Sequence, residues 1–228
     1  MENLVLPGNP PIEITLRQSS QARRMSLRVS QMDGKVTLTV PRGVRERTVQ
    51  GFVGEKADWI RKHLANQTAP QVVGLGALLP VEGHQVEVLA GQGRVPHLQD
   101  GTLLVPGRAD RVGPKVAGYL KVRAREHLSA ASDHYAERIG VKYGRLSLRD
   151  TRSRWGSCSS EGNLMYSWRL IMAPREVLDY VAAHEVAHLV EMNHGAGFWQ
   201  LVGEIFPQYQ TPRAWLRHNG AELHRYRF

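Results

Sequence analysis

The chain is 228 residues long, 42% hydrophobic, and carries a formal net charge of +9 with a single cysteine. Its length suits one large domain or two small ones, and no apolar run approaches the roughly 18 to 20 residues needed to span a bilayer, which excludes a helical membrane protein. With Cys158 alone, a disulfide framework and a Cys-rich zinc site are both excluded, so any metal must be held by histidine and carboxylate. The N-terminal MENLVLPGNPP has no basic segment followed by a long apolar one, so it does not read as a secretory signal and cytoplasmic residence is expected. Residues 1–144 hold 20 Lys and Arg against 13 Asp and Glu, whereas residues 145–228 hold 10 against 8. That basic excess suits a nucleotide or nucleic acid as partner, and equally an ordinary arginine-rich surface.

Residues 12–16 and 25–40 alternate apolar with polar side chains, and Asp33-Gly34 between two such runs signals a hairpin, so the chain opens as antiparallel sheet. Pro41-Arg42-Gly43 ends the strand. Residues 45–65 space Val49, Phe52, Val53, Ala57, Ile60 and Leu64 as one amphipathic helix. Residues 70–107 return to short strands, as in LPVEGHQVEVLAG and GTLLVPG. Pro114 suits the start of a long helix reaching about Ile139, with Val116, Tyr119, Leu120, Val122 and Leu128 along it. A boundary is therefore expected near 107–113, separating a β-rich N-terminal region with one helix (1–110) from a second domain (111–228). After the long helix that domain continues with strand, turn and strand, the turn lying at Ser159–Asn163. Pro174 then starts a helix whose first turn carries Glu176 and Asp179, and further helices are expected at about 195–206 and 212–224. No internal repeat is apparent.

The helix after Pro174 carries HEVAHLVEMNH, His184 to His194. On a helix, His184 and His188 lie about 40° apart around the axis and one turn apart along it, so both imidazoles can address one ion, with Glu185 beside them. In this H-E-x-x-H arrangement two histidines bind zinc and the glutamate serves as general base toward a water that the metal acidifies. A shuffled chain of this composition shows the motif only about 3% of the time, so chance is a poor account of it. A catalytic zinc site has three protein ligands and an open position. If the helix ran on, His194 would sit about 9 Å further along the axis, too far to share the ion. His194 is a ligand only if the helix stops, and Met192-Asn193, followed by Gly195 and Gly197, is the expected place. Glu191 and Glu204 are the alternative third ligands.

The combination of SRWGSCSSEGNL and WRLIMAP (within Ser153–Pro174), HEVAHLVEMNH and the GFW of Gly197–Trp199 resembles the YgjP-like metallopeptidase family, related to the SprT-like zinc proteases. The likeness is strong over 145–228 and extends to RRMSLRV, VTLTVPRGV and KADWIRKHL in the N-terminal part. It implies an α+β fold with a zincin-like C-terminal metallohydrolase core, a small antiparallel sheet packed on an active-site helix, behind a β-rich N-terminal part. It also implies zinc as cofactor, His184, His188 and His194 as ligands, and Glu185 as the catalytic base. The spacing to His194 is also that of metzincins, whose motif has glycine where this chain has Glu191.

Around this centre, the stretch Gly162–Met172 is the candidate edge strand for pairing an extended peptide. Arg152, Arg154 and Arg169 flank Trp155 and suit a phosphate or substrate carboxylate, or else brace the sheet. Tyr166 is a candidate oxyanion partner, Trp155 a candidate binding platform, and Cys158 a candidate occupant of the open metal position. Phe198, Trp199, Trp215, Leu216 and Leu223 read as core. The expected activity is that of a zinc metallohydrolase acting on a protein or peptide, with no membrane partner. The alternatives are a metal-dependent nucleoside triphosphate phosphohydrolase and a nucleic-acid-associated protease, both suited by the basic N-terminal half.

Overall fold

The computed structural model describes residues 3–30, 34–65 and 69–228. The chain is mixed α+β, with small sheets and six α-helices among the described residues, and divides into two compact units, Met1–Ala69 and Pro70–Phe228.

In the first unit β1 (Asn3–Leu6), β2 (Ile12–Ser19), β3 (Ser26–Val29) and β4 (Val36–Pro41) lie in the order β1-β2-β4-β3. β2 runs parallel to β4, and the outer two strands run antiparallel to their neighbours. Strand periodicity sorts the two faces. Ile14, Val36, Leu38 and Val40 turn to a core shared with Val49, Val53 and Ile60. Thr15, Arg17, Ser26, Arg28, Thr37 and Thr39, one register position away, stand on the opposite face. β3 and β4 form the expected hairpin; Gly34 of its turn has φ 71°, and Asp33 lies outside the described residues. The single helix expected over 45–65 is two helices, α1 (Glu46–Glu55) and α2 (Ala57–Ala65), because the chain turns at Lys56 (φ −98°, ψ 3°).

The second unit begins with β5 (Gln71–Val72), β6 (Leu78–Val81), β7 (His84–Gly91), β8 (His97–Gln99) and β9 (Thr102–Pro106), followed by α3 (Val112–Arg138). At 27 residues α3 is about 40 Å long. Its Val116, Leu120 and Leu128 are buried, but Val122 is 58% exposed, since two residues past Leu120 the helix has turned through about 200°. β10 (Leu146–Arg149), β11 (Gly156–Cys158) and β12 (Leu164–Ser167) follow, then α4 (Arg175–Ala187), α5 (Ala196–Ile205), α6 (Gln210–Asn219) and β13 (Tyr226–Arg227), which pairs with β5. Leu223 is buried in the core, with Trp215 and Leu216 packed against it.

Two expectations are corrected here. Val86, Val88, Leu103 and Val105 of the strands share one core with Val116 and Leu120 of α3, so residues 70–107 belong with the C-terminal unit. The boundary falls at Ala69/Pro70, not near 107–113, because strand alternation does not say which helix will cover the strands. Second, the chain does contain a structural repeat. β6-β7-β9-β8 has the strand order and directions of β1-β2-β4-β3. The two copies align TLTVP (Thr37–Pro41) with TLLVP (Thr102–Pro106), and Leu38 and Leu103 are both fully buried. Five similar residues in a chain of short strands are too weak a signal to be read without the topology.

Arg169 serves as a brace. It is buried, donates to both carboxylate oxygens of Asp150 (2.6 and 3.1 Å) and to the carbonyls of Leu223 and Tyr226 (2.9 and 3.2 Å), and lies over the rings of Trp168 and Phe228. The C-terminal segment is thereby tied to the sheet, and with four of its five N–H donors spent inside the fold the buried guanidinium cannot offer a two-donor fork to a phosphate or substrate carboxylate. Partial burial raises the Asp150 pKa, but the hydrogen bond and charge of Arg169 outweigh it, and the net shift is downward. A carboxylate depressed in the native state stabilises above its unfolded value, about 4, and that contribution is lost as pH falls through the native value. Asp150→Asn is accordingly expected to flatten the fall of the urea midpoint below about pH 4; an acid limb identical to wild type would refute it.

Candidate metal centre

α4 buries Val177, Leu178, Val181, Ala182 and Val186 against the second unit's core, and this fixes the rotation of its last turn, where His184 and Glu185 lie. The helix ends at Ala187, with His188 as its cap, four residues earlier than Met192-Asn193. Hydrogen bonds from Leu189 to Val186 (3.0 Å) and from Val190 to Ala187 (3.1 Å) tighten the final turn to three-residue spacing. The expected left-handed Asn193 is not used, since its φ is not positive. The consequence is nevertheless the one the spacing demands: the chain turns back and His194 comes beside His184.

His184, His188 and His194 each offer one ring nitrogen, and these three atoms lie within 4.8 Å of one another. His184 and His194 approach Nε2 to Nε2 at 3.0 Å. Behind the cluster, the Nδ1 of His188 pairs with the Glu191 carbonyl at 2.9 Å, and the Tyr180 hydroxyl stands 3.5 Å from the Nδ1 of His184. His194 is set by ring packing, with Trp199 stacked on it at 5.9 Å and Phe198 edge-on. Trp199 in turn stacks on Tyr209 and lies under the Arg213 guanidinium at 4.2 Å. Burial, then the neighbouring His188, His194 and Arg213, holds the His184 pKa down at about 3, and burial lowers that of His188. Both rings are therefore neutral near pH 7, the state in which imidazole can bind a metal. Three convergent imidazoles, two of them held from behind, form a donor set that fits a zinc-sized ion.

Glu185 is 5% exposed, and its pKa is pushed up to about 8 by burial, against the charge of Arg154 and a hydrogen bond from the Cys158 backbone N–H. β11 reaches this carboxylate because position 156 is glycine: a Cβ there would lie 2.5 Å from Glu185 Oε1 and 2.7 Å from its carboxyl carbon. An open cleft of about 440 Å³ lies here, lined by Ser153, Arg154, Ser157, Met192, the three histidines and Glu185, among others.

Among the other sequence candidates, Arg154 lines this cleft and Arg152, Trp155 and Tyr166 do not. Trp155 is half-buried, tilted against the His224 ring at 5.1 Å and close against Gly220, where its indole serves packing. Tyr166 is fully buried, its hydroxyl paired with that of Ser132 at 3.0 Å and its pKa driven well up by desolvation, so it is withdrawn from the cleft where an oxyanion would form. Cys158 lines the cleft, but its thiol donates to the Ser159 carbonyl at 3.4 Å and stands outside the histidine cluster. Glu191 and Glu204 are likewise outside that cluster. β12, within the stretch expected to form the sheet edge, is the middle strand; the edge beside Glu185 is β11. Gly156, Tyr180 and Arg213 were not singled out by sequence, since their roles are contacts made across elements.

The profile of the YgjP-like metallopeptidase domain matches residues 23–219. The chain belongs to the YgjP-like metallopeptidase family. A metal ion and action on protein or peptide substrates follow from that membership, and the three-histidine cluster is the group found among the described residues of this YgjP-like chain that could hold such an ion. The crystal structure of the metallopeptidase zymogen of Pyrococcus abyssi abylysin is similar over 40% of this chain and 93% of its own, at 19% identity and a TM-score of 0.36. No curated protein matches in sequence. No described helix of the YgjP-like chain is long and apolar enough to cross a membrane.

Proposed function

We propose that the protein is a zinc-dependent metallopeptidase whose catalytic domain is residues 70–228, with a zincin-like core formed by α4 and the sheet β10-β12-β11. The observation that carries this reading is the convergence of His184, His188 and His194 beside a buried carboxylate in one open cleft. In it the three histidines hold the ion and Glu185 is the general base. A bound zinc ion supplies Lewis acidity, lowering the pKa of water and polarising the scissile carbonyl. Glu185 accepts the proton as water attacks and returns it to the departing amine, a role to which its raised pKa is suited, because desolvation favours the protonated state it must pass through. Trp155, Ser157 and Ser159 direct their backbone bonds to β12, so the backbone groups of Gly156 and Cys158 face outward, the Cys158 N–H toward Glu185 and those of Gly156 toward the cleft. That outer edge is where an extended peptide can add as a further strand. Arg154 stands at the same cleft as a counter-charge for an acidic group on the substrate.

The metal site is tested by His194→Ala, which is expected to weaken zinc binding by more than about 100-fold in chelator competition, exceeding the loss from removing a group behind a ligand. Glu191→Gln and Glu204→Gln are expected to leave it unaltered; if either weakens binding while His194→Ala does not, the assignment of His194 is overturned. For substrate class, zinc-loaded protein is expected to cleave an unfolded protein. Phosphate release from nucleoside triphosphates without peptide cleavage would refute the peptidase reading.

A further inference from the structure

The first unit carries an unusual concentration of arginine. Because β2 and β4 run parallel, Ser19 pairs with Pro41, and because β3 runs antiparallel to β4, Ser26 pairs with Thr39. The end of β2, the start of β3 and the end of β4 therefore meet at one end of the sheet. The segment joining β2 to β3 brings Arg23 and Arg24 to that end, and the segment joining β4 to α1 brings Arg42, Arg45 and, in the first turn, Arg47. Arg17 and Arg28 stand on the outward face nearby, opposite Thr39 and Thr37 on the two strands that flank β4, so about 10 Å separates their strands. All seven are exposed, and none of their guanidinium groups makes a hydrogen bond or ion pair with a described residue. Glu46 is the one acid in the segment, and it accepts from Gln50 at 3.2 Å.

The repeated sheet of the second unit serves as an internal control. At the register positions of Arg17 and Arg28 it has Leu89, opposite Leu104, and Gln99, opposite Thr102. Its Arg108, just past β9, is paired with Asp110 at 3.0 Å. Arg94, between β7 and β8, and Arg111 are its other arginines in the equivalent segments, so the same strand order folds with three where the first unit has seven, and there the mutual repulsion is left uncompensated. A surface that stores such repulsion gains most from an anionic partner that relieves it.

We propose that this arginine-bearing face and end of the Met1–Ala69 unit is a binding surface for the phosphate backbone of duplex nucleic acid. Arg17, Arg23, Arg24, Arg28, Arg42, Arg45 and Arg47 supply the charge, and the hydroxyls of Thr15, Ser26, Thr37 and Thr39 between them are donors of the kind that hold phosphate oxygens. The face carries no aromatic ring, so it lacks the platform on which single-strand binders stack bases, and contacts made to phosphate carry no sequence information. Its paired-strand positions are polar apart from Val5 and Pro41, so it offers no contiguous apolar patch for a lipid surface to take up. The surface lies outside the proposed catalytic domain and does not depend on its assignment as a zinc peptidase.

The test is anisotropy of a labelled duplex of about 20 base pairs with the full chain, between about 50 and 200 mM salt. Binding is expected to be independent of sequence and to weaken about 10³-fold over that range, the behaviour of six or seven neutralised phosphates. Arg23→Ala with Arg24→Ala, and separately Arg17→Ala with Arg28→Ala, should each reduce the slope of log K against log salt by about 2. Arg108→Ala should leave the slope unchanged, and thermal midpoints and zinc content should match wild type throughout. The proposal is overturned by absence of binding at the lowest salt, by losses no larger than that of Arg108→Ala, by tighter binding of a single strand than of the duplex, or by binding confined to anionic phospholipid vesicles.

Discussion

Glu185→Gln is expected to lower peptide hydrolysis by at least about 100-fold while zinc content stays at the wild-type level. The amide is close to the carboxylate in size and still accepts a hydrogen bond from the Cys158 N–H, so packing at this buried position is retained. What it lacks is an oxygen that takes up a proton near neutral pH. Because the side chain lies beside the three histidines and outside their cluster of ring nitrogens, the donor set is unchanged. Zinc measured by atomic absorption, alongside turnover of a quenched peptide, separates the two effects. Full activity in the glutamine variant would remove Glu185 from the proton path, and joint loss of zinc and activity would show that the carboxylate is needed to build the site.

Gly156→Ala should be nearly as damaging, and for a reason visible only in three dimensions. The added methyl would lie 2.5 to 2.7 Å from three atoms of the Glu185 side chain. Either β11 retreats or the carboxylate is displaced, and a shift of about 1 Å in a catalytic group costs on the order of 10²-fold in rate. The backbone at 156 is in an ordinary strand conformation, so the effect is steric and the glycine is not needed for a special φ. The measurements are kcat of the zinc-loaded variant and its chelator-competition affinity. A rate within a few-fold of wild type would mean that the close approach of β11 to Glu185 is not required.

The three-histidine cluster is largely legible because its parts are contiguous: two histidines a turn apart on one helix, and a third that a single reversal returns to them. What sequence placed wrongly was the end of that helix, since the tightened turn after Val186 uses backbone hydrogen bonds that any residues supply, whereas Asn193 and the glycines were the visible signals. The groups that surround Glu185 were not legible. Gly156 and Cys158 come from a strand nearly thirty residues earlier, and only the packing of β11 on α4 gives them a role. In sequence Arg169 reads with Arg154 as an anion holder because both flank Trp155. The structure sends one to the cleft and buries the other against the C-terminal segment, a distinction set by carbonyls at Leu223 and Tyr226. The domain boundary was misplaced for a related reason: strands of residues 70–107 look like those before Pro41, and alternation records a buried face without naming what buries it.

That resemblance between strands has a consequence for how the chain finds its fold. Thr37–Pro41 and Thr102–Pro106 present nearly the same inward side chains, so each is a competent decoy for the other's place beside a neighbouring strand. Correct choice cannot rest on the core residues that distinguish strand from solvent; it must come from proximity along the chain. Val29 is seven residues from its partner Val36 and about ten times further from the equivalent stretch before β9, which favours the local pairing by about 2 kcal/mol in loop closure. Fast-forming hairpins thus act as the editor that keeps two look-alike sheets from exchanging strands during folding.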